Sequence, residues 1–170
     1  MSLVAGCDRT SSQSAKEHHT LSSAADYGDA DRIRILVGSG KPVDELDSSG
    51  LTPLARAVMA HHMDATKTLV SLGANIHFKT AKGEDLVMLA MSHEKDDPLE
   101  ILSYLVGLGL RVDAEALEGT TALNIAINNY DEKAVTKLVA LGAKPNAKTA
   151  SILSNNTNIP PKIMELVGSK

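Results

Sequence analysis

Apolar positions recur along this chain as pairs of short helical stripes, each pair closed by a glycine. Pro53–Ala60 reads as one helix and Met63–Leu72 as the next. The pair then repeats. Leu51-Thr52-Pro53-Leu54-Ala55-Arg56-Ala57 lines up with Thr120-Thr121-Ala122-Leu123-Asn124-Ile125-Ala126. Leu69-Val70-Ser71-Leu72-Gly73-Ala74-Asn75 lines up with Leu138-Val139-Ala140-Leu141-Gly142-Ala143-Lys144.

The period is measurable. Ala24, Ala57, Ala90 and Ala126 step by 33, 33 and 36 residues. Gly40, Gly73, Gly109 and Gly142 step by 33, 36 and 33, and Leu36, Leu69, Leu105 and Leu138 keep the same steps. The unit is therefore 33 residues, with three extra residues placed in Glu94–Asp97. A fixed period of this size predicts stacked repeats that bury one continuous core. The alanines are small where neighbouring helices approach, and the leucines fill the space between.

Helix boundaries follow from local chemistry. Thr52, Asp85 and Thr121 can each cap a first helix, and Pro53 suits its first turn. Asp97-Pro98 predicts the opening of a second helix. The glycines predict a left-handed exit. Each exit leads to a short extended piece such as Ala74–His77. Turns follow at Ser48–Gly50, Lys82–Gly83 and Glu118–Gly119.

A 33-residue period with a Thr-Pro-Leu-x-x-Ala block resembles the ankyrin-repeat family. The block stands here as Thr52–Ala57, with Ala55 where the family usually has His. Asp85–Ala90 departs further. The resemblance covers residues 20–146. It implies an all-α solenoid of stacked helix-turn-helix units with short hairpin fingers, in repeats at about 20–47, 48–80, 81–116 and 117–148, with a truncated capping repeat at 149–170. Residues 1–19 read as a mobile tail.

Composition narrows the function. The chain is 43% apolar and 22% charged, with three Tyr, one Phe and no Trp. So few rings argue against base stacking, and a net charge of −4 against nucleic-acid binding. No stretch reaches the length of a membrane-spanning helix. One cysteine, Cys7, excludes an internal disulfide framework.

Catalytic and metal motifs are missing: no phosphate loop, no nucleophile elbow, no zinc-protease helix. The adjacent His61 and His62 read as a polar turn, and Glu94, Asp96 and Asp97 as a solvated turn. No cofactor and no metal are expected, and the chain reads as non-enzymatic. Leu3-Val4-Ala5-Gly6-Cys7, followed by Asp8, resembles the lipid-attachment box of bacterial lipoproteins, with Cys7 as the lipidated residue. Six residues before Cys7 are too few for a signal peptide. The box therefore implies a periplasm-facing anchor only if a leader was removed, and a cytoplasmic chain if Met1 is the native start.

The family resemblance implies protein binding through a concave face of first helices and fingers. Carried onto this chain, the positions are Asp26 and Tyr27; Ser49, Leu51, Met59 and Ala60; Lys82, Glu84, Ser92 and His93; and Glu118, Thr120, Asn128 and Asn129. Leu51, Met59 and Tyr27 read as apolar or aromatic contacts. The partner implied is a protein, met by a monomer. The chain is an adaptor in this reading, or alternatively a regulatory subunit occluding an enzyme.

Overall fold

A computed structural model describes residues 20–92 and 98–168. Among these residues there are ten α-helices, one 3-10 turn and no strand. Each repeat supplies a first and a second helix. They are α1 (Leu21–Asp26) and α2 (Ala30–Gly38), α3 (Pro53–Met59) and α4 (Met63–Ser71), and α5 (Leu86–Leu89) and α6 (Leu99–Gly107). α7 (Ala122–Asn128) and α8 (Glu132–Ala140) follow, and α9 (Ala147–Asn155) and α10 (Pro161–Gly168) close the stack. First helices pack on first helices along the whole series, α1 on α3 through to α7 on α9.

The first helices begin as the residues require. The hydroxyls of Thr20, Thr52 and Thr121 each accept a hydrogen bond from the backbone N–H three residues on. The Asp85 carboxylate does the same for Met88 at 3.0 Å. Pro53 sits in the first turn of α3, where its absent N–H costs nothing. At α6 the expectation shifts by a residue: Pro98 itself occupies the cap position and Leu99 opens the helix.

The second helices of the first four repeats end in one way. Gly73 has φ +87°, a left-handed value that a side chain disfavours. Its N–H donates to Val70 O, and the next N–H, of Ala74, donates back to Leu69 O at 3.0 Å. The same two bonds recur at Gly40, Gly109 and Gly142.

The fingers are tight turns closed by backbone bonds. The N–H of Asp47, Thr80 and Ala116 donates to the carbonyls of Leu51, Glu84 and Thr120 at 2.9, 2.9 and 2.8 Å. One further bond, Leu117 N–H to Lys82 O at 3.0 Å, ties the third finger to the second.

The core is the periodic set. Ala24, Ala57, Ala90 and Ala126 are buried, as are Leu69, Leu105 and Leu138. Removing such a leucine side chain leaves a cavity the helices cannot close, at a cost of about 2–5 kcal/mol. A second column, Ile33, Thr66, Leu102 and Val135, is also fully buried. Thr66 is its polar exception, and its hydroxyl has no hydrogen-bond partner.

The last helix pair is held by a buried polar contact. Asn124 in α7 is 1% exposed and donates through Nδ2 to the Thr149 hydroxyl in α9 at 2.7 Å. Its Oδ1 accepts the Thr121 N–H. Thr149 in turn bonds Asn146, the cap of α9, whose Nδ2 reaches Glu115 and the Gly119 carbonyl. Every member is satisfied, so the chain fixes the seating of α9 against α7.

Candidate functional site

The stack has two long edges. Fingers connect each second helix to the next first helix and form one edge. The turns between first and second helices form the other. Most residues singled out from the sequence fall on the finger edge or at the ends of first helices.

The finger edge is built around carboxylates and short turns. Asp47 accepts the N–H of Ser49 at 2.7 Å and of Leu51 at 3.1 Å, and pairs with Arg56 Nε at 2.6 Å. Burial pushes the Asp47 carboxyl up, but the Arg56 guanidinium and the two N–H groups outweigh it and hold it below the usual aspartate value. At the second finger the same place is Thr80, whose hydroxyl donates to Glu84 and accepts the N–H of Lys82 and Glu84. At the third, Glu118 takes a left-handed φ of +59° and lies 3.8 Å from Lys148. Lys148 also donates to the Thr120 hydroxyl at 2.7 Å.

Four predicted residues come together here. Lys82, Glu84, Glu118 and Thr120, with Ala116 and Leu117, line a groove of about 400 Å³ between the second and third fingers. Ser49 stands exposed at the tip of the first finger. Leu51 and Met59 are half-buried and pack on the core, so their apolar character has a packing reason. Ala60 caps the end of α3 and is half-buried.

Asp26 and Tyr27 end α1, and Tyr27 is 67% exposed. Ser92 and Asn128 are exposed at the ends of their helices. Asn129 is tied up: its Nδ2 donates to Met91 O at 3.1 Å. His93, Cys7 and the insertion Glu94–Asp97 lie outside the described residues, as does the segment read as a tail.

The opposite edge held a role that sequence reasoning missed. His61 and His62 are not merely a polar turn. His62 Nε2 donates to Asp26 O in repeat one at 3.0 Å, and His61 Nε2 donates to Ala90 O in repeat three at 2.7 Å. A left-handed φ of +55° at His61 turns the two rings toward different neighbours. Gly28 answers this contact. It has φ +73°, and a Cβ there would stand 2.8 Å from the His62 ring. These residues, with Met63, Asp64, Lys67 and Glu100, line a polar groove of about 380 Å³ between the starts of α4 and α6. Lys67 also reaches to 5.9 Å from the centre of the Tyr104 ring.

Among the described residues no group of three or more His, Cys, Asp or Glu is placed to hold a metal ion. No described helix is long and apolar enough to cross a membrane.

Paired helices, glycine exits and a row of fingers together define an ankyrin-repeat solenoid. Comparison with known proteins agrees. Residues 21–77 match the family described as ankyrin repeats (many copies), and the chain carries repeats of that family. It is 30% identical over 122 residues to a protein of Rickettsia bellii (strain RML369-C) described as an ankyrin repeat protein. That match takes in 69% of this chain and 15% of the relative. It is 31% identical over 93 residues to protein phosphatase 1 regulatory subunit 27 of Mus musculus, or 54% of this chain and 58% of that one. The chain thus spans well under two thirds of either relative. Ankyrin repeats form protein–protein interaction modules and are generally non-enzymatic.

Proposed function

We propose that this chain is a non-enzymatic adaptor that binds a partner protein through the face made by its first helices and fingers. The observation that carries this reading is where exposed apolar groups stand. Of the four large apolar side chains more than half exposed among the described residues, Tyr27, Leu46 and Leu117 lie at the end of the first helix and on the first and third fingers, and Ile35 lies on α2. Aromatic and large apolar side chains of this kind anchor protein interfaces. Their neighbours Lys82, Glu84, Glu118 and Thr120 give the groove between fingers a mixed polar rim.

The test is affinity capture from source extract, with a triple variant Tyr27→Ala, Leu46→Ala, Leu117→Ala as the control. A protein held by the wild type and released by the folded triple variant supports the reading. A protein held equally by both places the site away from these exposed groups and defeats it. Circular dichroism shows whether the variant is folded.

A second reading is that the same face occludes an enzyme, making the chain a regulatory subunit. It is favoured by the likeness to a phosphatase regulatory subunit. Assaying a captured enzyme with and without added chain separates the two: a change in its turnover indicates regulation, and unchanged turnover indicates an adaptor. For location, the readings of Cys7 as a lipid anchor and of Met1 as a cytoplasmic start both stand as proposals, and mass spectrometry of the native protein decides between them.

A further inference from the structure

Along the finger edge, the three closed fingers and the segment that leads into α9, a fourth finger without a closing turn, differ in charge in a regular way. The first, 41–51, carries Asp44, Glu45 and Asp47 against Lys41. The second, 74–84, carries Lys79 and Lys82 against Glu84. The third, 110–120, carries Asp113, Glu115 and Glu118 against Arg111. The fourth, 143–148, carries Lys144 and Lys148 and no carboxylate. The order along the edge is acidic, basic, acidic, basic.

Read backwards, that order is its own complement. Set a second copy against the first, turned end for end, and the first finger faces the fourth while the second faces the third. All four facing pairs then have opposite sign. A two-fold interface demands this property, because each patch must match itself in reverse.

Other features favour the same pairing. Glu45, Lys79, Lys82, Glu115, Glu118 and Lys144 are all exposed. Glu45, Lys82 and Lys144 form no ion pair among the described residues. Leu46 and Leu117 are 58% and 64% exposed on the two acidic fingers. In the reversed register Leu117 meets the finger carrying Lys79 and Lys82. Their methylene stems can cover it while their ammonium groups reach Glu115 and Glu118. Leu46 meets the exposed Pro145 and Ala147.

We propose that two copies of this chain associate finger edge to finger edge about a two-fold axis between the second and third fingers. This departs from the monomer expected from the sequence. It uses the finger edge that the partner-binding reading also uses, but it is tested on the purified chain with no partner present, so each can fail alone.

Sedimentation of the wild type and two charge-reversed variants tests it. One variant is Lys79→Glu with Lys82→Glu, the other Glu115→Lys with Glu118→Lys. The wild type is expected to self-associate at low salt, with affinity falling about tenfold or more as salt is raised. Each variant alone is expected to sediment as a single chain, because its second and third fingers now share one sign. An equimolar mixture of the two is expected to associate again, since each second finger then faces a third finger of opposite sign. The chain carrying all four substitutions should self-associate for the same reason. A wild type that stays a single chain at millimolar concentration overturns the proposal. So does association that survives in the separate variants, or folded variants that fail to associate when mixed.

Discussion

Repeat two opens on Thr52-Pro53 and builds a first helix of seven residues; repeat three opens on Asp85 and builds one of four. The contrast accompanies a difference in sequence, since Thr52–Ala57 follows the family block and Asp85–Ala90 departs from it. Yet both helices sit in the same place in the stack. The short one is held by burial: every residue from Asp85 to Met91 is buried. Past Ala90 its hydrogen bonds shorten to three residues, Met91 to Met88 and Ser92 to Leu89. Both first helices are capped by a side chain and buried, since Thr52–Ala55, Ala57 and Val58 are buried as well. Repeat two adds helical hydrogen bonds that repeat three lacks, so the same place in a solenoid can be held with more or with less helix of its own.

The largest expected effects test this directly. Leu54→Ala and Leu86→Ala should each cost about 2–5 kcal/mol, read from urea midpoints. The loss at Leu86 should be the greater, because α5 has fewer helical hydrogen bonds of its own beside the Asp85 cap. A smaller loss at Leu86 than at Leu54 would show that the short helix is not held by burial.

Exchanging the caps comes next. Asp85→Ala should cost about 0.5–2 kcal/mol, and Asp85→Thr should recover that loss, since the hydroxyl still accepts the Met88 N–H. If Asp85→Thr proved as damaging as Asp85→Ala, the aspartate would be specifically required and the parallel with Thr52 would fail.

The two carboxylates should also respond to pH with opposite sign. Burial raises the Asp85 carboxyl above its usual value, and its bond from Met88, the charge of Lys79 and other backbone N–H bonds only partly offset this. The folded state therefore holds the Asp85 proton more tightly than the unfolded chain. Its contribution to stability is full below the unfolded value of 3.8 and is lost as pH rises through the raised folded value. Asp47 is the reverse, with stability present above 3.8 and lost as pH falls through its lowered value. Asp85→Asn should thus exceed the wild type at neutral pH, and Asp47→Asn should fall below it. Both gaps should close on acidification. Melting series across acidic pH check this, and two gaps of the same sign would contradict the assignment.

The smallest change reverses the ranking of the two repeats. Thr66 in repeat two buries an unpartnered hydroxyl where repeats one, three and four carry Ile33, Leu102 and Val135. Thr66→Val should stabilise the chain by about 1 kcal/mol. A loss on that substitution would mean the hydroxyl has a partner in solution.

Much of the fold was legible because it is periodic. The alanine and leucine columns, the glycine exits and the caps at Thr52, Asp85 and Thr121 each depend on neighbours within one repeat. The start of α6 lies one residue later than expected, with Pro98 at the cap, a boundary that the sequence pattern does not resolve. Contacts between repeats were not legible. Asn124 bonding Thr149, and His61 bonding the Ala90 carbonyl, depend on side chains meeting groups 25 and 29 residues away. Of the candidate site, the grouping of Lys82, Glu84, Glu118 and Thr120 follows from the finger register. The burial of Leu51 and Met59 does not, because periodicity locates a position on a helix or turn without giving the depth of its neighbours.

The paired histidines have a consequence for how the stack comes apart. Repeat arrays commonly fray from their ends, each unit answering only to the next. Here one dipeptide holds a carbonyl in each adjoining unit. The turn of repeat two cannot open without releasing both junctions at once. Amide protection in α1, α3 and α5 should therefore be lost together, as a single three-repeat block, while α9 and α10 exchange on their own schedule.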